Sequence, residues 1–298
     1  MAPQLLRNHR LCLKTGPGGQ FPVGAKERHA LKGRVLIIAG SDPSGGAGIQ
    51  ADIKTVTALG GYAATAITAL TVQNTKGVTA VHPTGPDVIA AQIEAVMEDI
   101  GADAVKIGMI GDVETAAVIE SALKKYASIP VILDPVLIAT SGDALAKGGV
   151  AEFMRDRLVP LASLVTPNTD EASALTGLVM DSRAAMIEAG RALVARGAGA
   201  ALVKGGHMAG AVVEDALVLA DGERIYSNPR IETTSTHGTG CTLASAIATG
   251  LAQAMPLPAA VKRAIDYTHK AIARAPGLGG GHGPLNHAHP CEDDFARS

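Results

Sequence analysis

The amino-acid sequence predicts an α/β fold in which a mainly parallel sheet is covered by helices on both faces. Short apolar segments alternate along the 298 residues with segments of helical periodicity, an order that requires crossover connections between parallel strands. Between residues 35 and 290 the sequence contains neither an internal repeat nor a linker. We therefore expect one domain over residues 34–290, with its ligands at the carboxyl ends of the strands.

The predicted elements begin with a strand over residues 34–39, whose continuous apolar side chains are typical of a strand buried on both faces. The glycine-rich loop 40–48 connects it to a helix over 49–59, and the alternating segment 62–72 predicts the second strand. Asp221-Gly222 is a typical hairpin turn. The remaining predicted elements are, in order, helix 86–100, strand 104–107, helix 112–126, strand 130–133, strand 163–166, a helix opening at Glu171, helix 182–197, strand 200–203, hairpin 211–227, a helix from 240 and a last helix ending near 274.

Composition and charge exclude several classes of function. The formal net charge is −2, and 2% of the residues are aromatic, so the chain lacks the positive field and the stacking platforms of a nucleic-acid-binding protein. No apolar segment reaches the roughly 18 residues that a membrane-spanning helix needs. The three cysteines, Cys12, Cys241 and Cys291, form no paired motif, which favours a reducing, cytoplasmic environment over a disulfide framework.

Four segments differ from the rest. Residues 1–33 are basic and poor in acids, and they lack the apolar core of a secretory signal, so we expect a disordered extension there. We expect the glycine-rich stretch 139–149 to be mobile and residues 291–298 to form a tail. The histidines of segment 282–289 could bind a metal, but they lack metal-site spacing and acidic partners, which favours a packed or solvated segment.

The stretch Thr236-His-Gly-Thr-Gly-Cys241 is followed at once by a run of small helix-forming residues. Glycine allows the backbone to approach a bound group, and the free N–H groups of a helix's first turn attract an anion, most often a phosphate. Cys241 would lie in that first turn, where the positive potential is expected to lower the pKa of its thiol. The alternative is a glycine-rich cap of a core helix with a buried cysteine, and this stretch alone favours neither interpretation.

Residues with candidate roles follow most of the predicted strands. They are the loop 40–48, Gln73, Met109, Asp134, Asn168, Glu171, Lys204 and the loop 236–241. Because the carboxyl ends of parallel strands meet at one edge of a sheet, we expect these groups to be neighbours.

Phosphoryl transfer would use such a set, since it needs charge neutralisation, in-line positioning and a way to take the acceptor proton. Lys204 could pair with phosphate oxygens, and Asp134 and Glu171 could hold Mg²⁺, often through water. Asn168 could donate to phosphate, and Cys241 could assist proton removal from a hydroxyl or only position it. Each residue also has a structural alternative, as an exposed lysine, a turn acid or a helix cap.

Several motifs together resemble those of the hydroxymethylpyrimidine/phosphomethylpyrimidine kinase family, in the ribokinase-like superfamily. They are Ala39-Gly-Ser-Asp-Pro-Ser-Gly-Gly-Ala-Gly-Ile-Gln-Ala-Asp52, Thr68-Ala-Leu-Thr-Val-Gln-Asn74, Lys106-Ile-Gly-Met109, Leu133-Asp-Pro-Val136, Thr166-Pro-Asn168, Lys204-Gly-Gly-His207 and Thr236-His-Gly-Thr-Gly-Cys241. The resemblance covers about residues 34–289. It implies a three-layer α/β/α fold with a small β lid, and phosphorylation of 4-amino-5-hydroxymethyl-2-methylpyrimidine to its monophosphate and then its diphosphate, with ATP and Mg²⁺, in thiamine biosynthesis.

The resemblance also implies roles for single residues. The positions that match substrate contacts are Gln73, Asp52, Met109, Gly40, Ala47 and Thr71. The positions that match ATP-binding residues are Lys204, Asn168 and Thr239. The positions that match the magnesium-side acids are Asp134 and Glu171. The catalytic positions are Cys241, Gly238, Gly240 and Lys204. Sugar kinases of this superfamily have an aspartate base where Cys241 stands, so the identity of the base stays open. The family suggests a homodimer in which strands near residues 62–82 help to form the lid.

Three other functions fit part of the sequence. A pyridoxal or pyridoxine kinase of the same branch is the nearest, although Gln73 and Met109 favour the pyrimidine. A non-catalytic pyrimidine- or nucleotide-binding sensor would not need the catalytic set. A cysteine-nucleophile hydrolase needs a histidine base, for which His237 is the candidate, but a packed loop residue is its more common role.

Overall fold

A sheet of nine strands forms the centre of the computed structural model, which describes residues 33–137, 142, 145 and 148–291. The strands are β1 Arg34–Ser41, β2 Tyr62–Asn74, β3 Gly77–Pro83, β4 Ala104–Ile107, β5 Val131–Leu133, β6 Leu164–Val165, β7 Ala200–Lys204, β8 Val212–Leu219 and β9 Gly222–Pro229. Within the described residues their order is β3-β2-β1-β4-β5-β6-β7-β8-β9. The six strands from β2 to β7 in that order are mutually parallel, and β3, β8 and β9 extend the two edges in antiparallel fashion.

Helices cover both faces of this sheet. They are α1 Gly48–Ala58, α2 Pro86–Asp99, α3 Val113–Lys125, α4 Val150–Phe153, α5 Thr169–Thr176, α6 Arg183–Ala195, α7 Thr239–Ala252 and α8 Leu257–Ala273. Strand β1 shows how two layers follow from one segment: Val35 and Ile37 pack with α1, α7 and α8, whereas Leu36 and Ile38 pack with α2 and α3. Successive side chains of a strand point to opposite faces, so a continuous apolar strand must be covered on both sides.

The predicted alternation of strands and helices is confirmed, with two additions. Strand β2 continues through Gln73 and Asn74, because these residues pair with β3. The sequence pattern did not predict β3 as a separate strand. Residues 150–161 are helical: a π turn, Met154–Leu158, and a 3-10 turn, Val159–Leu161, follow α4. Pro160 cannot continue a regular helix, which explains why no long helical period predicts this segment.

Some predictions fall on residues outside this description. The proposed extension lies outside it except for Gly33, most of the stretch 139–149 is also outside, and so is the proposed tail except for Cys291. In the described part of the chain, no helix combines the length and the apolar composition needed to cross a membrane.

The histidines near the carboxyl end pack against α7 and α8. His287 and His289 are buried; Nε2 of His287 lies 3.0 Å from Oγ1 of Thr242, and Nε2 of His289 lies 3.1 Å from the carbonyl oxygen of Tyr267. The Tyr267 hydroxyl donates to the His287 carbonyl at 2.7 Å. These contacts agree with a packed segment that contacts α7 at Thr242 and α8 at Tyr267.

We expect protonation of His287 to destabilise the fold. Burial lowers the pKa of His287 from 6.5 to about 4, and the nearby Lys54 and His289 add to this effect. Between these pH values the unfolded chain binds a proton that the folded chain excludes, so the free energy of unfolding should fall as the pH is lowered from 6.5 to 4, by about 2–3 kcal/mol.

Urea unfolding at several pH values would measure this loss. The variant His287→Asn keeps a polar partner for Thr242 but cannot titrate, so its stability should change less over the same interval. Parallel pH curves for the two proteins would contradict the assignment.

Candidate active site

A cavity of about 610 Å³ opens at the carboxyl ends of the parallel strands. Its wall combines the loop after β1, the end of β2, the residues that follow β4, β5 and β6, the end of β7 and the first turn of α7. The predicted site residues on this wall are Gly40, Ala47, Thr71, Gln73, Met109, Asp134, Asn168, Glu171, Lys204, Gly238, Thr239, Gly240 and Cys241. The structure thus brings together every predicted site residue except Asp52.

The first turn of α7 lies beside a lysine in the cavity wall. Gly238 precedes this helix in a left-handed conformation, with φ +82°, and no side chain within the described chain caps the helix there. A carbon placed at the Cβ position of Gly240 would lie 3.1 Å from Lys204 Nζ and 3.5 Å from Asp134 Oδ2. Backbone N–H groups of a helix's first turn and an ammonium group therefore meet in one space, an arrangement that suits a phosphate.

Lys204 lies between two carboxylates. Its Nζ donates to Asp134 Oδ1 at 3.0 Å and lies 3.9 Å from Glu171 Oε2. Burial by itself disfavours the ammonium, but Asp134 and Glu171 outweigh it and raise the pKa of Lys204. Thr166 Oγ1 donates to the same Asp134 oxygen at 2.9 Å. These contacts keep Lys204 charged and hold its ammonium group beside the first turn of α7.

Asn168 and Glu171 form a capping box at the start of α5. The Glu171 N–H donates to Asn168 Oδ1 at 2.9 Å, and the Asn168 N–H donates to Glu171 Oε2 at 2.7 Å. The capping role that the sequence left open is therefore present, although both residues also line the cavity. Burial raises the pKa of Glu171 to about 7, and the charge of Asp134 contributes while Lys204 opposes it.

The thiol of Cys241 behaves differently from the sequence-based prediction. The first turn of a helix was expected to lower the pKa of this thiol, but burial raises it to about 11. The charges of Asp52 and Asp134 add to the rise, whereas Lys106 acts against it. The prediction was wrong because burial and the nearby carboxylates outweigh the helix N-terminus. Cys241 is a free thiol that is protonated at neutral pH.

The opposite end of the cavity is formed by Gln73, Met109 and Gly40. A side-chain carbon at Gly40 would lie 2.9 Å from Met109 Sδ, so the Met109 thioether packs closely against this backbone. Thr68 Oγ1 donates to the Met109 carbonyl at 2.7 Å and fixes the backbone there. This end offers an apolar thioether and one amide, a combination that suits a small ring with polar edges.

The loops on the two sides of the cavity are joined by Asp42 and His237. Both residues lie in loops predicted to reach the site, but their pairing was not predicted. Asp42 Oδ2 lies 2.8 Å from His237 Nε2, and both side chains are buried. Among the described residues, the ring of His237 contacts Asp42 and Gln73 rather than Cys241, which gives no support to a cysteine hydrolase. The acid and the histidine are 195 residues apart in the sequence, so no local pattern links them.

Asp52 does not reach the cavity, although a substrate contact was expected from the family resemblance. Its carboxylate is fully buried and accepts from Lys106 Nζ at 2.8 and 2.9 Å and from Ser245 Oγ at 2.7 Å. Burial disfavours both charges of the ion pair. The negative charges around Lys106, chiefly that of Asp52, outweigh burial and raise the pKa of Lys106. The carboxylate is therefore occupied by a lysine from β4 and a serine from α7, and it links three elements beneath the site.

We expect the two charges of this pair to depend on each other for stability. Lys106→Met leaves Asp52 as an uncompensated buried charge, which typically costs about 3–5 kcal/mol. In the double variant Lys106→Met with Asp52→Leu both charges are absent, and most of the loss should be recovered. Chemical denaturation of the wild type, the single variants Lys106→Met and Asp52→Leu, and the double variant measures the coupling. A double variant as unstable as the sum of the single variants would refute it.

Comparisons with known proteins agree with this geometry. The sequence model of phosphomethylpyrimidine kinase matches residues 42–286. A hydroxymethylpyrimidine/phosphomethylpyrimidine kinase of Rhizobium meliloti is 48% identical over 259 residues, which are 85% of this chain and 96% of the relative. The thiamine biosynthesis bifunctional protein ThiED of Geobacter sulfurreducens is 48% identical over 265 residues, 88% of this chain, and the match spans only 54% of that longer relative.

The fold is shared with a solved kinase structure. The crystal structure of an ADP complex of Bacillus subtilis pyridoxal kinase superposes with a TM-score of 0.80 at 32% identity, covering 86% of this chain and 98% of that one. The ribokinase-like α/β fold predicted from the motifs is thereby confirmed. With a family model that matches most of its length and a relative of nearly the same extent, the chain belongs to the phosphomethylpyrimidine kinase family.

Proposed function

We propose that this protein transfers the γ-phosphoryl group of ATP to 4-amino-5-hydroxymethyl-2-methylpyrimidine and then to the resulting monophosphate, a step of thiamine biosynthesis. The main support is the single cavity lined both by Gln73 and Met109 and by Lys204 and the first turn of α7. A ring held at one end would present its hydroxymethyl group to a phosphoryl group held at the other.

The acceptor ring is proposed to lie against Met109, with its polar edge on the amide of Gln73. An amide both donates and accepts, so it can pair with a ring nitrogen and an exocyclic amino group together. Gly40, Ala47 and Thr71 complete this end of the cavity. The Met109 thioether packs closely against the backbone of Gly40 at this end of the cavity.

The nucleotide is proposed to occupy the other half of the cavity. The apolar side chains that line it there are Val213, Ile231, Leu243, Ile265 and Ile272. They form a surface suited to a purine base, while Lys204 and the N–H groups of residues 240 and 241 would face the phosphates. ATP as the donor is supported by the family and by the nucleotide bound to the similar pyridoxal kinase.

Asp134 and Glu171 are proposed to hold Mg²⁺, directly or through water. Hard divalent cations prefer carboxylate oxygens, and the raised pKa of Glu171 marks a buried carboxylate whose surroundings would stabilise an added positive charge. No cluster of three or more metal-binding side chains occurs in the described residues, so the remaining ligands would be water and phosphate. When bound, the ion would neutralise charge on the transferring phosphates.

Transfer requires the acceptor oxygen to form a bond to phosphorus as the bond from phosphorus to the leaving ADP oxygen breaks, and the hydroxyl proton passes to water or to a phosphate oxygen. Residues 238–241 and Lys204 would stabilise the charge on the phosphoryl oxygens. Because the Cys241 thiol is protonated at neutral pH, we assign it the orientation of the acceptor hydroxyl rather than the role of a preformed base.

Two further predictions concern assembly and location. The homodimer implied by the family resemblance would use the edge formed by β2 and β3, where the side chains of Leu70 and Val72 are 53% and 51% exposed. The cytoplasmic location is supported by the free thiols of Cys241 and Cys291.

A pyridoxal kinase activity is the second candidate, because a pyridoxal kinase shares the fold with a TM-score of 0.80. The deciding experiment incubates the purified protein with ATP, Mg²⁺ and either the hydroxymethylpyrimidine or pyridoxal, and resolves mono- and diphosphate products by chromatography. We expect pyrimidine monophosphate and then diphosphate, with a much lower kcat/KM for pyridoxal. Binding of the pyrimidine without ATP turnover would instead indicate a sensor.

Substitution of Cys241 should lower kcat with little effect on affinity for the pyrimidine. Cys241→Ala removes the group that orients the hydroxyl, and we expect a loss of about 100-fold, in the range of a positioned polar group. Cys241→Ser retains a hydrogen-bonding group and should stay within about tenfold of the wild type.

Steady-state kinetics of both variants, with pyrimidine affinity measured by calorimetry, would test this assignment. A serine variant as impaired as the alanine variant would show that a thiolate base is required. Near-normal turnover of the alanine variant would exclude both roles for the thiol.

A further inference from the structure

One arginine in the cavity wall holds the loop that connects β7 to β8. Arg230 directly follows β9, and its side chain reaches back to residues 206–210, which we call the 206–210 loop. Its Nε donates to the Gly210 carbonyl at 2.7 Å and its Nη1 to the Gly206 carbonyl at 2.9 Å, while Nη2 donates to the Met208 carbonyl. The three nitrogens of one guanidinium group therefore bind three alternate carbonyls of one loop, a contact that the proposed reaction does not use.

The two ends of the loop are fixed by the adjoining strands. The Gly205 N–H donates to Asp215 Oδ1 on β8 at 3.0 Å. At the other end, the backbone N–H of Arg230 donates to the Ala211 carbonyl at 2.9 Å. These bonds locate where the loop begins and ends, but they do not determine the shape of the residues between them.

The middle of the loop has few other contacts. The Met208 N–H closes a turn on the Gly205 carbonyl at 3.0 Å, and the Met208 side chain packs against the apolar cluster between α5, α6 and β7. His207 Nδ1 lies 3.2 Å from Asp170 Oδ2, in a contact exposed to solvent. Within the part of the chain that the structure describes, the carbonyls of residues 206, 208 and 210 have no hydrogen-bond donor other than Arg230.

This loop forms part of the wall where the nucleotide is proposed to lie. Gly206 and His207 line the cavity together with Arg230. Val213 and Ile231, which belong to the apolar surface assigned to the base, lie close to the loop and to Arg230 in the sequence. The shape of the loop therefore determines the shape of this side of the nucleotide half.

We propose that Arg230 is a positioning residue for the nucleotide, because its guanidinium group fixes the 206–210 loop in the shape that the bound nucleotide contacts. This inference rests on the proposed function, in which the nucleotide occupies this half of the cavity. A loop that is already ordered does not have to lose conformational entropy when the ligand binds. A guanidinium group presents five N–H groups in a rigid planar fork, whereas a lysine ammonium is a single point of charge on a flexible stem.

The test compares the KM for ATP with the KM for the pyrimidine in the wild type, Arg230→Ala and Arg230→Lys. In Arg230→Ala the KM for ATP should rise at least about tenfold, the cost of ordering one or two residues of backbone on binding. The KM for the pyrimidine should stay within about twofold of the wild type, because Gln73 and Met109 belong to other elements. Arg230→Lys keeps the charge but loses the fork, so its KM for ATP should lie closer to that of the alanine variant.

Arg224→Ala is the matched control. Arg224 is an exposed arginine on β9, the strand that precedes Arg230, and it does not line the cavity. Both KM values of this variant should equal those of the wild type. An equal rise of both KM values in Arg230→Ala, or a wild-type KM for ATP in Arg230→Lys, would overturn the proposal.

Chemical rescue separates loop positioning from general damage. Methylguanidinium added to Arg230→Ala can enter the space of the missing side chain and bind the same carbonyls, so it should lower the KM for ATP. Methylammonium at the same concentration carries the same charge without the fork and should have a much smaller effect. An equal effect of the two cations, or no effect of either, would overturn the assignment.

Calorimetry with ATP and Mg²⁺ tests the inference without the acceptor. If the wild type binds ATP but does not phosphorylate the pyrimidine, the proposed reaction is refuted. The dissociation constants of ATP for the wild type and the two Arg230 variants then still decide the role of Arg230. A wild type that binds no ATP would refute both proposals.

A measurement on the wild type does not depend on the folding of a variant. ¹⁵N relaxation of the nucleotide-free protein reports the order of the backbone N–H groups of residues 206–210. We expect order parameters of about 0.85, as in the neighbouring strands. Values below about 0.6 would show that the loop is mobile despite Arg230, and would overturn the proposal.

Discussion

The close approach of two glycine-rich loops is the constraint on which the site depends. A side-chain carbon at Gly238 would overlap the carbonyl oxygen of Gly46, and one at Gly46 would overlap the ring of His237. Only glycine allows the loop after β1 to lie directly on the start of α7. The Asp42–His237 contact closes the same junction with a buried hydrogen bond. Because of this junction, the end of the cavity with Gln73 and the end with Lys204 belong to one space.

Buried charge is organised in two levels around that junction. Beneath it, Lys106 and Asp52 neutralise each other and tie β4 to α1 and α7. Above it, one lysine faces two carboxylates, and burial holds the pKa of Glu171 near 7 and that of Cys241 near 11. The lower pair is closed and structural. In the upper group, two carboxylates face one lysine, so a cation can bind there. The N-terminus of α7 lies beside them and can bind an anion.

The two halves of the cavity differ in how selective they must be. The half with Lys204 and α7 is built from backbone N–H groups and charges that suit the phosphates of any nucleotide. The half with Gln73 and Met109 must distinguish one small ring from another. Kinases with different acceptors can share this fold, as the similarity to a pyridoxal kinase illustrates, because selectivity requires changes only where the ring lies.

The sequence by itself determined the strand order along the chain, the two buried faces of β1 and the edge at which the site residues collect. These features follow from local periodicity and from the rule that parallel strands end together. It also predicted that Gln73 and Cys241 line one cavity. Only the tertiary structure decided the partners of Asp52, the raised pKa of Cys241 and the pairing of Asp42 with His237. Burial and side-chain contacts arise between segments that are distant in sequence, and no local pattern records which of them will meet.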